Sequence, residues 1–335
     1  MAYDGKIMRL ALQEFEKDKN TREAELRDRR ERIFQRQPRL RQIEGELHST
    51  MSRIISGALR RGTDPRPAIA ALREENLSLQ AEKRELLERM GLPENCLEET
   101  PACSLCGDTG YRDGHVCRCL RRYYAREQKK ELSRMLDLGG QSFDTFDLDW
   151  YSDHLLPGQS KSEREQMEGK VYETCVAFAH QFGRRPENLL LFGAPGLGKT
   201  HLSAAIARDV SDKGFSVVYD TASHVFERFE TQKFGGREDQ ETAADVDRVL
   251  NCDLLILDDL GTEMTTAFVQ SALYQIINTR LMEKRSTIIS TNLSPEKLAQ
   301  RYTPQIASRI EGEYRLLAFV GEDIRKQKKR REMAR

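Results

Sequence analysis

The sequence contains no run approaching the roughly 18 apolar residues that a membrane helix requires, so no membrane partner is expected. It also lacks net charge, with 54 Lys and Arg against 54 Asp and Glu. That balance excludes a global electrostatic pull toward nucleic acid or lipid, although it leaves room for a local patch. Met1 to Leu12 has neither the continuous apolar stretch nor the cleavage site of a secretory signal, which makes the cytoplasm the expected location. Aromatic residues are missing between Phe34 and residue 95. What fills that stretch is Glu, Arg, Lys, Leu and Gln, a composition suited to extended helices with charged surfaces. At 335 residues, 32% of them charged, the chain is too long for one comfortable core.

Three regions follow from the pattern. In residues 1–95, Leu40, Ile43, Leu47, Met51, Ile54 and Ala58 alternate three- and four-residue steps, the spacing of a helical seam. Gly62 to Pro67 signals a turn, and Leu72, Leu79 and Leu86 then repeat every seven residues until Gly91 and Pro93. The spacing predicts a hairpin of two long antiparallel helices, serving as a charged spacer or as a partner-binding element. Residues 96–138 hold a cysteine cluster and a basic linker helix from Arg121 to Leu138, with Gly139 and Gly140 at the boundary. In residues 139–335 short apolar segments alternate with helical patterns. Strands are predicted at Asn188–Phe192, Ser216–Asp220, Leu254–Leu257, Thr287–Ser290 and Leu316–Val320, as in a parallel α/β sheet covered on both faces.

The first of these strands runs into Gly193-Ala194-Pro195-Gly196-Leu197-Gly198-Lys199-Thr200, which has the spacing Gly-x4-Gly-Lys-Thr, and a helical pattern beginning at His201 follows. Strand, loop and helix in that order form a phosphate-binding loop. Glycines let the backbone wrap phosphates, and the N–H groups and helix N-terminus attract negative charge. Lys199 is expected to reach the β- and γ-phosphates of ATP and Thr200 to ligate Mg²⁺. Leu254-Leu255-Ile256-Leu257-Asp258-Asp259 places two carboxylates at the end of a buried strand, where parallel sheets bind ligands. Asp258 would hold Mg²⁺, directly or through water, and Asp259 would activate the attacking water. Asn292 follows the apolar segment Thr287–Ser290 and is a candidate contact to the γ-phosphate or that water.

These motifs, with Ala307-Ser308-Arg309-Ile310 and Gly321-Glu322-Asp323-Ile324-Arg325, resemble the DnaC/DnaI family of bacterial replicative helicase loaders. The ATPases that assist IS21-type transposases share most of them. The resemblance spans about residues 140–327 and implies an AAA+ core. Within it Asn292 matches the sensor-1 residue, Arg309 the arginine finger that completes a neighbouring subunit's site, and Arg325 the sensor-2 arginine. Asp259 departs from the Asp-Glu pair usual in AAA+ proteins at large, while Asp-Asp is common within the loader group.

Four of the seven cysteines lie between residues 103 and 119: Cys103-x2-Cys106, a Gly-containing turn, then Cys117-x-Cys119. In a reducing compartment such clustering reads as one tetrahedral Zn²⁺ site, with His115 as an alternative ligand. Four protein ligands leave no open position, which points to a structural site. Cys96, Cys175 and Cys252 read as ordinary buried thiols. Loaders of the DnaI type resemble this combination too, with a helical N-terminal part and a zinc module that dock onto the helicase. Arg325 to Arg331 carries six positive charges in seven residues, suited to a phosphate backbone or to a solvated tail. Tyr123 and Tyr124 beside Arg121, Arg122 and Arg126 are candidates for stacking on single-stranded bases.

The expectation is thus an α/β AAA+ P-loop NTPase with a parallel sheet, preceded by an α-helical hairpin and a small zinc module. The resemblance implies loading of a hexameric replicative helicase onto single-stranded DNA by a homo-oligomer that hydrolyses ATP. The alternatives are an ATPase helper of a transposase and a scaffold that binds ATP without turnover.

Overall fold

The computed structural model describes residues 3–58, 66–136, 140–155, 160–234 and 240–333. The chain divides into two compact units, Gln13–Cys117 and Met1–Leu12 with Arg118–Arg335.

Helix α1 (Gly5–Arg36) starts at Asp4, whose carboxylate accepts the N–H groups of Lys6 at 2.7 Å and Ile7 at 2.9 Å. It stops before Pro38, which has no N–H to continue the ladder and becomes the first residue of α2 (Pro38–Ala58). Helix α3 (Arg66–Arg89) returns antiparallel to α2, since Arg39 pairs with Glu82 at 2.8 Å and Glu44 with Lys83 at 2.9 Å. The expected seam is partly its contact line: Leu40, Ile43 and Leu79 are buried, while Leu47, Leu72 and Leu86 are half-buried. The hairpin is therefore present, but a third helix, α1, precedes it. Its apolar residues, such as Phe15, Leu26 and Ile33, are too sparse along 32 residues to show a stripe. Most of the turn expected at Gly62 to Pro67, residues Leu138 and Gly139, and the side chains of Met51, Ile54 and Ala58 lie outside the described residues. Strands β1 (Tyr111–Arg112) and β2 (His115–Val116) form a short antiparallel hairpin.

The second unit opens with α4 (Arg118–Leu136) and two single 3₁₀ turns, Phe143–Thr145 and Leu148–Trp150. Helix α5 (Glu163–Gln166) runs through a wider π turn, Met167–Tyr172, into α6 (Glu173–Gln181). Then come β3 (Leu189–Phe192), α7 (Lys199–Asp212), β4 (Val217–Thr221), α8 (Ala222–Phe234), α9 (Gln240–Asn251) and β5 (Leu254–Leu260). Helix α10 (Ala267–Met282), β6 (Ser286–Thr291), α11 (Pro295–Arg301), α12 (Pro304–Glu313), β7 (Arg315–Ala318) and α13 (Ile324–Met333) complete it. The five strands are parallel in the order β4-β5-β6-β3-β7. Alternate residues feed opposite faces: Leu190, Leu257 and Ile289 enter one apolar cluster, Leu189, Leu191 and Ile288 the other. All five expected strands are present, with ends displaced by at most three residues, the largest difference being β5, which runs on from Leu257 to Leu260.

The segment read as a basic linker helix belongs to this unit. Gln128 of α4 is buried; its amide donates to Ser211 Oγ and the Phe215 carbonyl, both at 2.8 Å, and accepts the Val217 N–H at 2.9 Å. Tyr124 is likewise fully buried and its hydroxyl accepts the Asp4 N–H at 3.0 Å, so its ring is closed to any base. Tyr123 is half-buried under the Arg126 guanidinium. The Asp4 carboxylate pairs with Arg248 of α9 at 2.7 Å. Arg280 of α10, fully buried, donates to the carbonyls of Val249, Leu250, Cys252 and Ser286 and to Thr287 Oγ1. Among the described residues no helix is long and apolar enough to cross a membrane.

Candidate nucleotide site

Strand β3 is apolar enough to lie inside the sheet, between β6 and β7, and it delivers the chain to the loop 193–198 at the strands' C-terminal ends. A Cβ on Gly193 would meet the Phe319 carbonyl oxygen at 2.4 Å, and one on Gly196 the Asp323 carboxylate at 2.1 Å. Both residues also have positive φ, 147° and 77°, so glycine is required twice over. Lys199, the first residue of α7, is buried. Its ammonium donates to the carbonyls of Gly193 at 2.7 Å and Ala194 at 2.8 Å and to Asn292 Oδ1 at 2.8 Å. Burial pushes its pKa down to about 8, with Asp259 and Asp258 opposing the shift and Arg325 adding to it.

Around Asp258 the site is rich in hydroxyls. Its Oδ2 accepts from Tyr219 at 2.8 Å and from Thr200 at 3.3 Å, and its Oδ1 accepts from Ser290. Strand β5 continues past the expected end at Leu257, with a register shift against β6 between Leu257 and Leu260. Asp259 sits in that bulge at φ 59°, and its N–H, lost to the β6 ladder, is accepted by Ser290 Oγ at 3.1 Å. The Asp259 carboxylate accepts from Asn292 Nδ2 at 2.9 Å. Lys199, Thr200, Asp258, Asp259 and Asn292 thus form one connected network.

The segment between residues 142 and 151 flanks the loop. Tyr151 donates to the Leu197 carbonyl at 2.9 Å, and Phe146 stacks on Tyr172 and lies edge-on to His201. The His201 ring contacts the Ser142 carbonyl oxygen through Nε2 at 2.9 Å. Arg325 approaches from α13, whose first N–H, that of Ile324, donates to the Gly196 carbonyl at 3.0 Å. Arg309 is placed apart from this network: on α12 it bonds Asn278 at 3.1 Å and Tyr274 at 3.2 Å, both of α10. Sequence reasoning missed Phe146, Tyr151, Tyr172 and Tyr219. Of these only Tyr219 carried a signal, a tyrosine in the otherwise aliphatic start of a strand.

The sulfurs of Cys103, Cys106, Cys117 and Cys119 lie within 4.8 Å of one another, and Cys103 and Cys117 are 3.8 Å apart. Four thiolates on one tetrahedral Zn²⁺, with Zn–S near 2.3 Å, stand about 3.8 Å apart, so the donor set fits that ion. Gly107 N–H donates to the Cys103 carbonyl at 2.9 Å, and the Asp108 carboxylate accepts the N–H groups of Ala102 and Cys103, fixing the turn. His115 is exposed on β2 and outside the group of four. The expected basic tail is helix α13, where Arg331 lies 4.0 Å from the Trp150 ring centroid and Arg330 pairs with Glu322.

Residues 172–332, which contain all of this nucleotide network, match the family of the IstB-like ATP binding protein. By that match they are similar to an IstB-like ATP-binding domain. The domain is similar to the replicative helicase loader DnaC of Buchnera aphidicola subsp. Baizongia pistaciae, 28% identical over 124 residues, 37% of this chain and 50% of that protein. DnaC of Escherichia coli K12 is 25% identical over 150 residues, 44% of this chain and 60% of the relative. A putative insertion sequence ATP-binding protein of Sinorhizobium fredii is 29% identical over 143 residues, 42% and 46%. The chain thus spans about half the length of these relatives. A solved structure of the DnaC helicase loader aligns with 53% of this chain and 98% of its own at TM-score 0.43 and 25% identity. The fold of the IstB-like domain is the AAA+ P-loop fold expected from the sequence, and its general role is ATP binding.

Proposed function

We propose that this chain is an ATPase that loads a hexameric replicative DNA helicase onto single-stranded DNA. The network joining Lys199, Thr200, Asp258, Asp259 and Asn292 carries the nucleotide part of the reading. Lys199 would exchange a carbonyl or amide partner for β- and γ-phosphate oxygens, and the loop N–H groups would receive the remaining phosphate charge. Thr200 and Asp258 are the residues to hold Mg²⁺, which would neutralise charge developing on the phosphates. Asp259, oriented by Asn292, is the base for the attacking water. Arg325 is positioned beside the loop from within the chain. Arg309, bonded to α10 away from its own loop, suits service to a neighbouring subunit's γ-phosphate, which implies a homo-oligomer in the working state.

The client is inferred from similarity to DnaC, together with the helical segments and four-cysteine cluster ahead of the domain. The family match and the insertion-sequence relative favour a second reading, an ATPase subunit for a transposase. Pull-down of the hexameric helicase by the full chain in ATP separates the two. Retention supports the loader; no retention, together with capture of an IS21-type transposase, overturns it. Turnover measured with and without single-stranded DNA tests hydrolysis, and ATP binding without phosphate release would leave a scaffold.

A further inference from the structure

The residues crowding Asp258 exceed what an Mg²⁺ site of Thr200 and one aspartate needs. A carboxylate offers about four acceptor positions. Tyr219 and Thr200 together occupy those of Oδ2, and Ser290 occupies one on Oδ1. One position on Oδ1 is left. Tyr219 reaches Asp258 from β4, the neighbouring strand, where Thr221 is the backbone register partner of Asp258. Its ring is packed in the apolar cluster with Leu189, Leu254 and Ile256, so the hydroxyl is delivered by a side chain with no freedom to swing. Ser290 comes from β6 on the other side and also accepts the Asp259 N–H.

We propose that the Tyr219 and Ser290 hydroxyls are positioning groups that lock the Asp258 carboxylate in the single orientation that receives nucleotide-bound Mg²⁺. This deepens the ATPase reading and rests on it. Three donors on one buried carboxylate fix it from both sides. A nucleotide-bound Mg²⁺ held by Thr200 and Asp258 would then meet a preformed acceptor.

The test is ATP titration calorimetry on the full chain across an Mg²⁺ series and in EDTA. Tyr219→Phe keeps the ring and removes the hydroxyl; Ser290→Ala does the same from β6. Each variant is expected to bind ATP in EDTA within about twofold of the parent, while the Mg²⁺ concentration for half-maximal tightening rises about tenfold. In an Asp258→Asn background, Tyr219→Phe should add nothing further. Wild-type Mg²⁺ dependence in both variants overturns the proposal. So does an equal loss of affinity in EDTA, which would mark general loosening, or an undiminished effect without Asp258. A parent chain that binds no ATP under either condition would instead overturn the nucleotide reading itself.

Discussion

The ammonium of Lys199 and the side-chain oxygen of Asn292 are hydrogen-bonded at 2.8 Å, so the start of α7 and the end of β6 are linked through the site. Lysine has three N–H donors, and the two carbonyls and Asn292 occupy all three. A phosphate must therefore displace a partner. Because Asn292 also donates to Asp259, its loss acts on binding and chemistry in opposite directions. Asn292→Ala should bind ATP as tightly as the parent or more so, while turnover falls about a hundredfold, the scale for losing one aligned polar group. Equilibrium binding and single-turnover hydrolysis check the two halves separately.

Nucleotide affinity should depend on pH through Lys199. Its pKa in the folded protein is lowered to about 8 from 10.5, and phosphate binds the charged form. Affinity should be flat below pH 8 and fall about tenfold per unit above it. Binding near that pH should take up a proton, visible as a dependence of the calorimetric enthalpy on buffer ionisation. For the nucleotide-free fold the sign reverses. The unfolded chain holds the proton more tightly between pH 8 and 10.5, so the Lys199 contribution to stability increases with pH across that window.

Asp259 adopts φ 59°, a left-handed backbone that Asp and Asn tolerate better than most side chains. Asp259→Asn should therefore fold and bind ATP normally and lose turnover. Asp259→Glu, which restores the pair usual in AAA+ proteins at large, should lower stability by about 1 kcal/mol from backbone strain. Thermal melts of the two variants distinguish these effects.

The cysteine cluster should hold about one zinc per chain by elemental analysis. Replacing Cys103 and Cys106 together by Ser should release it, and ATP affinity should stay unchanged because none of the residues in the nucleotide network lies in that cluster. Metal content and ATP titration on the same preparation test both statements.

Arg280 has no acid partner among its hydrogen bonds and is held by carbonyls that end α9 and begin β6. Arg280→Met leaves several buried acceptors unsatisfied and should cost on the order of 3 kcal/mol, roughly 6–12 °C in melting temperature. Calorimetric melting measures it.

Segments where local chemistry decides were readable in the sequence. The aliphatic run before Gly193 can only be a buried strand, and Gly-Lys-Thr after it needs no distant partner to be understood. Asp258 is similar, closing an apolar run with charge. Features set by neighbours remote in sequence were not readable. Tyr219 matters because β4 lies beside β5, and Arg280 resembles a surface arginine until α9 is placed against it. Gln128 and Tyr124 sit in a helix whose basic composition suggests solvent, yet both are buried. Composition describes the average face of a helix, and burial is decided by a few residues on one side.

Strand β4 is an outer strand of the sheet, and an uncovered outer strand is a template for pairing with other chains. By accepting the Val217 N–H, Gln128 acts as a guard against that pairing at the start of β4. A fragment beginning at Gly140, about where the family resemblance of the sequence begins, would keep every phosphate-loop residue and lose this guard. Its characteristic failure would be aggregation through the bare strand, with the nucleotide chemistry intact in whatever remained dispersed.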